Sequence, residues 1–168
     1  MVKQKMSFPK NKMVLKEIAV RINRMLLTGL FDLVIGILAI VVGFMAPTTT
    51  TTFLGYGLLL VFGFLIGILA IAAGILAILN AIGIPIAIIT DVFPSIVQFK
   101  AMQGLALAKA FLCFFAIILV FSGTCTWTTM TFYIISLILD IALAYYGKEI
   151  IDLIIGLTPP ALRFKFKP

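Results

Sequence analysis

The chain has 168 residues, of which 63% are hydrophobic and only 11% charged, with a net charge of +7 and no histidine. A soluble domain carries about 25% charged residues, and a fold of this length could not hide so much apolar surface from water. Composition therefore excludes a soluble globular protein and points to an all-α polytopic membrane protein with little beside its spans.

Residues 1–25 form a basic N-terminal segment that holds Lys3, Lys5, Lys10, Lys12, Lys16, Arg21 and Arg24. Within it, Met13, Val14, Ile18, Ile22 and Met25 recur at helical spacing, opposite Lys12, Lys16, Glu17, Arg21 and Arg24. This pattern predicts an amphipathic interfacial helix with its basic face at the membrane surface. The other reading of the same residues is a cytoplasmic extension of the first span.

The first span is expected at residues 26–46, long enough for a hydrocarbon core of about 30 Å. It is too long for the apolar region of a cleavable signal, and no small-residue cleavage motif follows it. Gly29, Gly36 and Gly43 recur every seven residues and so share one face. Pro47 ends the span, and residues 48–52 are five threonines, which suit a hydrated turn better than a helix interior. In an exported loop they could carry O-linked sugar.

The second span, residues 53–79, contains no charge. Gly63, Gly67, Ala70, Gly74 and Ala77 run through it as a small-residue stripe. In lipid, apolar surface gives no drive for association; small residues let backbones approach so that dispersion and weak Cα–H···O contacts hold helices together. Spans one and two form a first hairpin, residues 26–79. With its GILAI, Pro-Thr turn and glycine-spaced second span, the stretch from Leu33 to Gly74 resembles the repeated hairpins of the bacterial acid-resistance membrane family. Those are residues any helical hairpin uses, and no activity is carried over from them.

Residues 80–103 are expected to be an interfacial connection. Asn80 and Gly83 weaken a helix, Pro85 and Pro94 break it, and Asp91 and Lys100 are its only charges. A second hairpin, residues 104–147, follows, with spans at 104–123 and 129–146. Its threonine-rich tip carries Cys125 and an interfacial anchor, Trp127. Residues 148–168 are an amphipathic extension and a basic tail in which Arg163, Lys165 and Lys167 alternate with Phe164 and Phe166.

The expected fold is four transmembrane helices as two antiparallel hairpins, plus the N-terminal amphipathic helix. The bias of Lys and Arg puts both termini on the cytoplasmic or interior side and the threonine-rich loops outside. Lys12, Lys16, Arg21, Arg24, Arg163, Lys165 and Lys167 are candidates for contact with anionic headgroups or an acidic partner. Nucleic acid at the basic termini is the sharper alternative.

Three ionisable residues fall inside spans: Asp32, Lys109 and Asp140. Lys109 lies sixteen residues before Cys125 and Asp140 fifteen after it, so an antiparallel hairpin puts them at nearly one depth. With the spans drawn as above, that depth is roughly 8–12 Å inside the cytoplasmic boundary at 1.5 Å per residue. A lone charge there costs about 2.5–3.5 kcal/mol, and pairing lowers the cost. The expectation is an Asp140–Lys109 intramembrane ion pair with Asp32 as third member. A structural role is favoured over a proton or ion relay, because so shallow a cluster lacks stepping stones across the membrane.

Cys113 reads as a small core residue, and Ser122 and Ser136 as packing groups. On a continuous helix Cys113 and Cys125 would stand about 18 Å apart, too far for a disulfide. No nucleophile–base set, phosphate loop or zinc motif is present, so neither an enzyme nor a cofactor or metal is expected. Gly36, Gly43, Gly63, Gly67, Ala70 and Gly74 are the candidate helix-packing positions. The leading functional reading is a non-catalytic accessory or structural subunit of a larger membrane assembly, with other membrane proteins or copies of itself as partners. A virion or vesicle membrane protein is one form of it. The alternative is a small oligomeric channel, exporter or ion or proton carrier.

Overall fold

The computed structural model describes residues 12–45, 53–90, 96–119 and 127–157. They form four helices: α1 (Lys12–Met45), α2 (Phe53–Thr90), α3 (Ile96–Leu119) and α4 (Trp127–Leu157). Each contains a stretch long and apolar enough to cross a membrane: Leu15–Val41, Leu60–Ala87, Ile96–Leu119 and Met130–Gly156. Such stretches become helices because hydrocarbon offers no partner for backbone N–H and C=O, so each segment must satisfy its own. The chain is an all-helical, multi-pass membrane protein.

α1 packs against α2 and α4, and α3 packs against the same two helices. The bundle is therefore a ring in which α1 and α3 face each other across a diagonal. Its inward positions step by threes and fours. On α3 they are Met102, Ala106, Lys109, Cys113 and Ala116; on α4 they are Tyr133, Ser136, Asp140, Leu143, Gly147 and Ile150. This is the repeat of helices that pack knobs into holes along a shared seam. Large aliphatic and aromatic side chains such as Phe31, Ile37, Phe64, Leu79, Phe111 and Ile138 point outward, where lipid solvates them.

α1 and α2 approach so closely that glycine is required by proximity. A Cβ on Gly36 would stand 2.9 Å from both the Ala70 Cβ and the Gly67 carbonyl oxygen. One on Gly67 would meet the Ile40 side chain and stand 2.8 Å from the Gly36 carbonyl oxygen, and one on Gly74 would be 2.7 Å from the Gly29 carbonyl oxygen. Residue numbers fall on α2 as they rise on α1 along this seam. The backbones touch because neither side places a side chain between them.

Several boundaries differ from the sequence expectation. α2 runs on to Thr90, so residues 80–90, expected in an interfacial connection, are helix. Asn80, Ala81, Ile84 and Ala87 continue the buried stripe of Ala70, Ala73 and Ala77. Pro85 sits inside this helix on its exposed side. It forfeits the bond to the Ala81 carbonyl, but packing on both sides of it holds the helical course, as membrane helices allow. α3 starts at Ile96 rather than at residue 104, and α4 runs unbroken past Tyr146 to Leu157. α1 is continuous from Lys12, so the amphipathic residues 12–25 are its first turns and not a separate element. The threonine run, Asp91, Ser122, Cys125, Arg163, Lys165 and Lys167 lie outside the described residues.

Gly67→Ile should destabilise the detergent-solubilised bundle by about 1–3 kcal/mol, the usual cost of overpacking. Gly104→Ala should leave it unchanged, because nothing lies within 4 Å of the added Cβ. Loss of helical circular dichroism on titration with a denaturing detergent measures both.

Candidate functional site: a buried Asp–Lys–Asp triad

Three helices each bring one ionisable side chain to the bundle axis. Asp32 comes from α1, Lys109 from α3 and Asp140 from α4, and all three are 0% exposed. Each occupies a position that the packing repeat turns inward: Lys109 between Ala106 and Cys113, Asp140 between Ser136 and Leu143. The Lys109 ammonium donates a hydrogen bond to Asp32 Oδ1, reaching across the diagonal. It also lies 2.6 Å from Asp140 Oδ1. That second contact is an ion pair off the hydrogen-bond direction, so Asp140 Oδ1, like Asp32 Oδ2, accepts no hydrogen bond among the described residues.

The triad separates two apolar clusters. On one side lie Met25, Ala77, Met102, Ala106 and Leu143 with their neighbours. On the other lie Ala39, Ile66, Cys113, Ala116 and Tyr133. Both ends of the charged layer are thus closed by packed hydrocarbon, and the Coulomb attraction acts in a medium of low polarity.

The helices run farther than the spans expected from sequence. Lys109 lies thirteen residues after Ile96 and ten before Leu119, the limits of its membrane-crossing stretch. At 1.5 Å per residue it is about 20 Å from one end and 15 Å from the other. Asp32 and Asp140 are likewise inside their stretches, nine residues before Val41 and ten after Met130. Spans three and four begin and end farther out on the side of the middle connection than helix-breaking residues implied, and the exposed Arg24, Lys100 and Lys148 lie eight or nine residues from the triad along the same helices.

Two further groups complete the layer. The Cys113 thiol lies 3.5 Å from Ser136 Oγ and 4.0 Å from Asp140 Oδ2, positioned to donate weakly to either. Both residues were legible as packing groups only. Their signal was spacing: Cys113 is one turn beyond Lys109, and Ser136 one turn before Asp140. Towards the other cluster, Gln103 Nε2 donates to the Ala144 carbonyl at 3.0 Å, and Asn80 Nδ2 lies 3.9 Å from the Met102 sulfur. Among the described residues no three His, Cys, Asp or Glu side chains are grouped to hold a metal.

The other candidate positions separate by role. Gly36, Gly67, Ala70 and Gly74 line the α1–α2 seam; Gly63 is buried on α2 and Gly43 belongs to α1. Lys12, Lys16, Arg21 and Arg24 occupy the first turns of α1, with Lys16 and Arg24 exposed. Arg21 pairs with Glu17 at 2.6 Å, an exposed contact worth little to stability. The Thr28 hydroxyl donates to the Arg24 carbonyl at 2.8 Å, keeping a polar side chain bonded where α1 enters the bundle.

Lys109→Met should be the costliest single change in the layer, about 3–5 kcal/mol, because it leaves two buried carboxylates without a cation. Combined with Asp140→Leu it should cost less than the two changes summed, with a coupling of about 0.5–3 kcal/mol. Additive costs in the same detergent titration would show that the two side chains do not interact. No protein-family model, characterised protein or solved structure matches this chain.

Proposed function

We propose that this membrane protein is a non-catalytic structural or accessory subunit, built as two antiparallel helical hairpins joined through their polar core. The observation that carries this reading is that Asp32, Lys109 and Asp140 pair with one another inside the bundle, each sealed at 0% exposure. A buried ionic cluster fixes register and partner choice among helices whose apolar surfaces are otherwise interchangeable. The tight α1–α2 glycine seam serves the same end. The outward faces, rich in Phe, Leu and Ile, meet lipid or the flat surfaces of neighbouring membrane proteins. Basic first turns of α1 fit an interior or cytoplasmic N-terminus beside anionic headgroups. In a virion or vesicle the same charge would face nucleic acid.

A second reading, an ion or proton carrier, rests on the same triad, because two carboxylates face one ammonium inside the bundle. Gentle extraction followed by native mass spectrometry should find the chain in a fixed complex, with partner proteins or with copies of itself. Recovery as a lone monomer, together with an ion or proton flux in liposomes that Asp140→Asn abolishes, would replace the structural reading with the carrier.

A further inference from the structure

Counting charge in the buried layer leaves a remainder. Asp32 and Asp140 bring two carboxylates and Lys109 one ammonium, all 0% exposed. With every group ionised, the layer would hold a net charge of −1 between two packed hydrocarbon clusters. Among the described residues no other charged side chain is close enough to balance it. α2 carries no charged residue at all. On α1 the nearest cation is Arg24, two turns away and exposed; on α4 it is Lys148, also two turns away and exposed. From α3 the further titratable group facing the layer is the Cys113 thiol, and from α4 the Ser136 hydroxyl borders it. Neither supplies positive charge. An uncompensated charge in the apolar interior is what such sites avoid, by pairing or by taking up a proton.

We propose that the triad is a binding site for one proton, held by the two carboxylates against Lys109. The proton bonds to a carboxylate oxygen, converting –COO⁻ to –COOH, and the layer goes from −1 to neutral. The geometry points to its seat. Asp140 Oδ1 is occupied by the ammonium at 2.6 Å, Asp140 Oδ2 faces the thiol, and Asp32 Oδ1 accepts the Lys109 hydrogen bond. Asp32 Oδ2 is buried and accepts no hydrogen bond among the described residues; it is the free oxygen. Bound there, the proton leaves Lys109 and Asp140 as the ion pair and lets α1 dock as a neutral partner. Release of the proton restores the buried negative charge and weakens the hold of α1 on the bundle. The site rests on the reading of these helices as membrane spans and does not depend on whether the protein has partners.

Infrared spectroscopy of the full chain in lipid vesicles tests this. At neutral pH the wild type should show a protonated-carboxyl C=O band that shifts to lower frequency after exchange into D2O. Asp32→Asn and Asp140→Asn should each remove that band while helical circular dichroism is retained, because either change leaves one ammonium with one carboxylate. Lys109→Met, if it folds, should strengthen the band. A wild type with no such band, or a band that survives unchanged in both Asn variants, would overturn the proposal. Neither result would bear on the oligomeric state read by mass spectrometry.

Discussion

The bundle depends on one ammonium group held between two carboxylates. Lys109 is the only described side chain that ties α3 to α1 across the diagonal by an ion pair, and it pairs with α4 in the same layer. Beside a few neutral contacts such as Gln103 to the Ala144 carbonyl, neighbours in the ring meet through apolar packing, which in lipid discriminates poorly between one arrangement and another. The charged layer does discriminate. Sliding α1 by one turn would carry Asp32 into hydrocarbon and strand Lys109 with a single partner. The penalty for that mismatch, more than the attraction in the matched state, fixes the register.

The small-residue seam and the charged layer solve different parts of the same problem. Gly29, Gly36, Gly67 and Gly74 bring α1 and α2 into backbone contact, which sets how α1 is held sideways. Lys109 then decides its height. α2 can remain wholly uncharged because it is clamped by shape alone. The polar cost of the bundle falls on α1, α3 and α4, the three helices whose side chains meet at the axis.

The position of the triad also decides what it can do. An exposed cluster would exchange freely with water and act as an anchor. With the triad sealed at 0% exposure between two apolar clusters, its charge balance becomes a property of the fold. Protonation, helix docking and packing are then coupled through the same few atoms.

Much of this was legible in the sequence. Four apolar stretches, the absence of histidine and the isolation of Asp32, Lys109 and Asp140 among aliphatic residues sufficed to mark a multi-span helical protein with an intramembrane charge cluster. Equal spacing from Cys125 aligned Lys109 with Asp140, because depth along an antiparallel pair is a matter of counting residues. Helix ends were less legible. Pro85 and Asn80 read as breakers in one dimension, whereas in the bundle Ala81, Ile84 and Ala87 keep packing past them, and tertiary burial outweighs local propensity. The thiol and hydroxyl beside Asp140 and the run of α2 past Pro85 to Thr90 were decided by tertiary structure alone. They depend on which helices are neighbours and how far each runs, and no periodicity within a single helix encodes either.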